Sequence, residues 1–338
     1  MLRILIGALL SLIFLSSNGQ PKDEAYKLGV EGILKVDKGF YKEGIKLLKA
    51  ARNLEPGEYD YSFEIAKAYM KAGLPKKAEK YLYDLQYHEA VQADLYVLLA
   101  RCYAELEMLK KSPNPENKRA MNALRYGIQK LPHDGVLYLY LAKENLKLER
   151  TVEALSLLET GIQKSPNFSE NYFWAAKLMQ ATGNDLWAWF YAELFLNMTD
   201  DLELRRSAAL IVSKSSSKVL ATDWNASPDK LDQQFAFASK EKCKEVKDNL
   251  FNLQVYKRSC LNTSWNYSGF SVSPLFERIK LLESKGWLEA YIWSFLEVVE
   301  KDNFLKWLPK NAADFDAYRE WRYWNPLVLK STINRIEN

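Results

Sequence analysis

Four cations recur at matching places in the chain: Lys67, Arg101, Lys143 and Lys177. Four residues ahead of each stands an apolar residue, namely Phe63, Val97, Leu139 and Phe173. On a helix that spacing is one turn, so the two sets predict a basic ladder running beside an apolar strip. Lysine and arginine supply charge-assisted hydrogen bonds to carboxylates, and the strip supplies burial for a peptide's apolar side chains. Asp60, Asp94 and Glu170, each seven residues before a cation, offer ion pairs instead. Such surface pairs are worth ~0–1 kcal/mol. The sequence leaves both roles open.

Other chemistry-bearing residues are few. Tyr323 and Trp324, beside Arg319 and Arg322, form a candidate aromatic patch for stacking on glycans. The competing reading is a ring-rich core, and the helical spacing of the neighbouring rings favours it. Cys243 and Cys260 are a candidate disulfide, and Cys102 reads as a small buried apolar residue. His88 and His133 stand near helix ends, where a polar capping role outweighs catalysis. There is no HExxH, GxSxG, phosphate-binding or GxGxxG motif, and acidic residues occur singly on helical surfaces. The expectation is therefore a non-enzymatic protein with no catalytic residues, no metal site and no cofactor.

Composition agrees. The 338 residues carry 47 basic and 43 acidic side chains, a net charge of +4. That balance is too even to point to nucleic acid. Apolar residues make up 48% and charged residues 27%, an ordinary globular mixture. The 14 glycines and 11 prolines are too few for collagen or for a turn-dense β protein.

The elements that must hold the ladder follow from a 34-residue period. In a frame begun at Gly135, position 4 is Tyr138, 7 is Leu141, 8 is Ala142, 20 is Ala154, 24 is Leu158, 27 is Gly161 and 32 is Pro166. The frame repeats from Ala25 (Gly32, Gly39, Leu48, Ala51, Pro56), Tyr59 (Ile65, Ala66, Gly73, Ala78, Leu82), Ala93 (Tyr96, Leu99, Ala100) and Ser169 (Tyr172, Ala176, Gly183, Ala188). The third copy carries an insertion around KKSPNPENK before Ala120, Leu124, Gly127 and Pro132 resume the register. Small residues at 8, 20 and 27 let two helices of one repeat cross closely. Larger ones fill the gaps, and proline ends the unit because it cannot continue a helix.

This pattern resembles the tetratricopeptide repeat family over residues 25–202. The resemblance implies an all-α, right-handed helical solenoid of about five repeats, with starts at 25, 59, 93, 135 and 169. It also implies that helix A positions 5 and 9, the strip and the ladder, line a concave face that binds a protein or peptide, here an acidic one. The family's carboxylate-clamp asparagines are missing from these positions.

Residues 203–228 read as one extra helix and a Ser-rich boundary loop, and 229–338 as a helical, Trp-rich C-terminal domain. In that domain Ser273-Pro274 marks a helix start, Gly286 a stop, and a further helix is expected over residues 312–324. The segments PLFERIKLLESKGWLEAYIWSFLEVVE and AYREWRYWNPL resemble the tails of uncharacterised exported repeat proteins of Bacteroidetes-type bacteria. Residues 1–19, with Arg3, an apolar run and small residues Ser17 and Gly19, read as a cleaved signal peptide lacking a lipobox cysteine. No later stretch is long and apolar enough to span a membrane. Together these predict an exported, periplasmic or secreted scaffold for protein partners, with glycan binding by the aromatic tail as the alternative.

Overall fold

The computed structural model describes residues 20–221 and 274–329. The expected signal peptide and the Cys243–Cys260 pair lie outside the described residues. Among the described residues every regular element is an α-helix, and the fold is the all-helical, paired-helix repeat of the tetratricopeptide type. The chain divides into two compact units, one ending at Leu148 and the other beginning at Glu149.

The first unit holds α1 (Gln20–Asp37), α2 (Tyr41–Leu54), α3 (Tyr59–Lys71), α4 (Pro75–Leu85), α5 (Ala93–Met108), α6 (Lys118–Lys130) and α7 (Gly135–Leu146). Each of the helices α1, α3 and α5 packs on the helix that follows it, and α1, α3, α5 and α7 also touch one another in order. The odd-numbered helices therefore form one layer. The turns after α1 and α3 are made by Gly39 and Gly73, whose φ values of 85° and 70° suit glycine alone.

Small residues set the crossings. A Cβ on Gly32 of α1 would meet Leu48 Cγ at 2.8 Å and the Gly44 carbonyl oxygen of α2 at 3.1 Å. A Cβ on Gly127 of α6 would meet the Tyr96 ring of α5 at 2.7 Å. Both helix pairs close until backbone or ring fills the space a side chain would take, a fit worth about 1–3 kcal/mol if overfilled. Around these crossings Ile65, Ala66, Ala78, Leu82, Leu95, Tyr96, Leu99 and Leu124 form a dry core.

The second unit holds α8 (Thr151–Lys164), α9 (Ser169–Ala181), α10 (Asp185–Met198), α11 (Leu202–Ala221), α12 (Pro274–Ser284), α13 (Leu288–Leu296) and α14 (Lys301–Trp324). Helix α10 is buried from Asp185 to Asn197, covered by α9, α11 and residues of α13. A helix apolar on all sides requires such surroundings.

Two elements depart from the sequence reading. Helix α11 continues through the serine run that reads as a loop, ending at Ala221. The serines persist in the helix because their hydroxyls are satisfied: Ser215 donates to Asp185 at 2.8 Å and accepts from Gln180 at 3.0 Å, and Ser217 donates to the Ser213 carbonyl. Helix α14 begins at Lys301 and runs through Pro309, although proline removes a backbone bond. Phe304 and Trp307 before the proline meet Phe315 after it, with ring centroids 5.2 and 5.9 Å apart, a closeness that a straight helix of that length does not allow and that marks a bend at the proline.

Candidate functional site

The odd-helix layer of the first unit carries three of the four ladder cations: Lys67 on α3, Arg101 on α5 and Lys143 on α7. Because these helices adjoin in order, the equal register puts the cations on neighbouring helices. Lys67 pairs with Glu64 at 2.6 Å, one turn away on its own helix, rather than with Asp60. Its ammonium also lies 5.7 Å from the Phe63 ring centroid, and Lys143 lies 5.1 Å from that of Tyr140. Arg101 is exposed. In the second unit Lys177 of α9 is exposed and sits 4.6 Å from the Trp174 ring centroid. Cation–ring contacts of this kind are worth about 0.5–1 kcal/mol at exposed sites. A ring contact holds an ammonium group without neutralising it.

The apolar strip is placed differently. Val97, Leu139 and Phe173 are 8%, 4% and 5% exposed, so their apolar area is already used in packing. Phe173 meets Phe195 of α10 with ring centroids 5.0 Å apart. Phe63 alone is half-buried. Of the four strip positions only Phe63 reaches water, so the strip is not the continuous apolar track that its spacing predicts.

The remaining candidates separate cleanly. Tyr323 and Trp324 at the end of α14 are 67% and 73% exposed and meet edge to face, 5.0 Å apart. Among the described residues of the tail, Trp293, Tyr291, Phe295, Phe315 and Tyr318 are buried and build core, while Trp287, Trp307 and Trp321 are half-buried. Arg322 does not join the aromatic patch. It donates to the Leu196 carbonyl in the last turn of α10, to the Thr199 carbonyl just beyond it, and to Asp200. His88 accepts from the Ala90 amide at 3.1 Å and meets the Gly57 carbonyl through its other ring nitrogen, fastening the segment after α4 to the turn between α2 and α3. Cys102 donates to the Pro75 carbonyl, and burial pushes its thiol up to about 12, so it is an inert packing residue.

A polar cluster that the sequence analysis did not single out lies where α10 ends. Tyr291 of α13 donates to Glu193, and Asn197 donates to Tyr291 at 3.0 Å, all three within the core. Arg205 of α11 donates to the carbonyls of Leu196, Thr199 and Ser294. Burial, with the nearby Arg322 charge, lowers the Arg205 guanidinium to about 10. Two guanidinium groups thus cap the carbonyl end of one buried helix, where its dipole favours positive charge. In sequence they are two arginines more than a hundred residues apart, with no shared motif. Among the described residues no group of His, Cys, Asp and Glu is placed to hold a metal. No helix of the described residues is long and apolar enough to cross a membrane.

No family model and no curated protein matches the chain. Among solved structures, a thermophilic TPR protein of Thermus thermophilus is 19% identical and covers 56% of this chain and 98% of its own, with a TM-score of 0.44. PilF of Pseudomonas aeruginosa is 15% identical, covering 66% and 100%, at 0.44. A MamA structure is 19% identical, covering 55% and 93%, at 0.36. These values carry nothing about ligand or partner, and the fold stated above rests on the chain's own helix pairs.

Proposed function

We propose that the protein is a non-enzymatic scaffold that engages a protein or peptide partner across its odd-helix layer. The observation that carries this reading is the placement of Lys67, Arg101 and Lys143 on adjoining helices, with Arg101 open to water. Helix layers of this kind expose one long surface whose side chains can be varied without disturbing the crossings. A row of cations selects acidic partners mainly by steering encounter and setting register. Lys177 extends the same chemistry on α9. The setting proposed is the bacterial cell envelope, entered through cleavage of residues 1–19, in keeping with the exported repeat proteins that the tail resembles.

The test replaces Arg101 and Lys143 by glutamate in the full chain. Cross-linking in the native envelope with mass-spectrometric identification gives the partners of the wild type. Loss of the acidic partners in the Arg101→Glu/Lys143→Glu variant is the expected result. An unchanged cross-linking profile removes the reading. The glycan alternative rests on the exposed Tyr323–Trp324 pair. It requires oligosaccharides to quench tryptophan fluorescence in the wild type and not in a Trp324→Ala variant.

A further inference from the structure

An open cavity of the first unit lies where the turns after α1 and α3 come together, and none of the ladder cations lines it. It has a volume of about 830 Å³. Its apolar wall includes Phe40 and Leu74, which are 53% and 41% exposed and so reachable by a ligand's apolar side chain. Both follow directly on the positive-φ glycines Gly39 and Gly73, and both stand at the N-terminal ends of even-numbered helices, α2 and α4. The repeat therefore places the same feature twice, one helix pair apart, and the cavity lies between them.

Charge around this cavity is one-sided. Lys42, Lys46, Lys49 and Lys77 line it against a single carboxylate, Glu43. The ammonium groups of Lys49 and Lys77 stand 5.5 and 5.8 Å from the centroid of the same ring, that of Tyr69, which is itself buried. Two ammonium groups lie near one aromatic ring, so an acidic ligand placed there would meet both. The first turn of α2 adds to the field, since no side chain caps its amides.

We infer that this cavity is a second docking site, for an acidic peptide segment of a partner protein that carries a large apolar side chain. The Phe40–Leu74 wall takes the apolar side chain, and Lys49 and Lys77 over Tyr69 take the neighbouring carboxylates. A concave, ring-floored pocket of this size suits a short segment rather than a flat lipid surface. The site is separate from the odd-helix layer, so it neither needs nor repeats the function proposed for the ladder.

The test uses the full chain and a fluorescein-labelled peptide of aspartate and glutamate residues flanking two phenylalanines, followed by fluorescence anisotropy. The expected result is saturable binding that weakens as salt is raised. It weakens by about tenfold or more in Lys49→Glu/Lys77→Glu. The neutral Lys49→Gln/Lys77→Gln variant falls between, and a peptide with serine in place of phenylalanine also binds more weakly. The same comparison is repeated in the Arg101→Glu/Lys143→Glu background, which removes any binding of the peptide by the ladder from both measurements, and the loss on adding Lys49→Glu/Lys77→Glu persists there. Absence of saturation up to about 1 mM peptide, or equal affinity with and without Lys49→Glu/Lys77→Glu in that background, overturns the inference. Phosphatidylglycerol vesicles that displace the peptide, with the lysine variants losing vesicle binding, would assign the site to lipid and equally overturn it.

Discussion

The two units solve the same packing problem with different residues. In the first unit α5 is buried from Leu95 to Ala100, but α2 buries a single stripe. Helix α2 commits only Gly44, Ile45, Leu48 and Ala51 to the core and leaves its lysines in water. In the second, α10 is buried from Asp185 to Asn197, and arginine is drawn inward: Arg278 is 8% exposed. In the first unit Arg101 faces solvent, while Lys67 is paired with Glu64. The buried cations of the second unit cap carbonyls and stack on rings, as Arg278 does by donating to the Asn325 carbonyl at 2.7 Å and lying over Trp321. The difference teaches that basic residues at similar helical positions do unlike work, according to whether a further layer of helices covers them.

The comparison can be broken at its most buried point. Trp187 of α10 is 1% exposed and packs on Phe190 and Tyr191. Trp187→Ala should cost about 3–5 kcal/mol, read as a lower denaturant midpoint, and a loss under about 1 kcal/mol would show that the aromatic core is loosely packed. The first unit should yield a smaller penalty at its tightest crossing. Gly127→Ala forces a methyl into the Tyr96 ring and should cost about 1–3 kcal/mol. A neutral result there would mean that α5 and α6 stand further apart than described.

The smallest effect concerns Glu297, half-buried near Arg205 and Arg319. Burial raises its pKa above the ordinary 4.5, and the two arginines offset this only in part. An acid whose pKa is raised on folding binds its proton more tightly in the folded state. Its ionisation therefore costs nothing below the unfolded value, and the cost accrues as pH rises toward and past the folded one. Glu297→Gln should accordingly be at least as stable as wild type at neutral pH, with the advantage fading as pH falls below 4.5. Thermal unfolding across that range checks it, and a variant less stable at neutral pH would assign Glu297 a favourable ion pair instead.

The helix-pair fold was legible because it depends on a local signal repeated many times. Gly32, Ala66, Ala100, Ala142 and Ala176 recur at one frame position, and a close crossing tolerates little else. The strip was half legible. Apolar type and helical spacing marked Val97, Leu139 and Phe173 for burial, but the expectation is a ligand in a groove, and one-dimensional spacing cannot say whether the chain or a ligand covers them; here the chain does. The length of α14 was hidden because Pro309 is a local stop signal, whereas the chain bends there and continues as helix, and the meeting of Phe304 and Trp307 with Phe315 across the bend exists only in the folded chain. Serines of α11 misled in the same way, since their partners Asp185 and Gln180 belong to other helices. The arginine caps on α10 and the cavity at Phe40 and Leu74 arise from residues brought together only by folding.

Arginine-directed labelling with phenylglyoxal, mapped by mass spectrometry on the folded full chain, tests the contrast between the units most directly. The account predicts that Arg101 is modified rapidly, while Arg205 and Arg278 react only once the protein is unfolded. Equal rates at the three positions, or protection of Arg101 alongside rapid modification of Arg205, would contradict it.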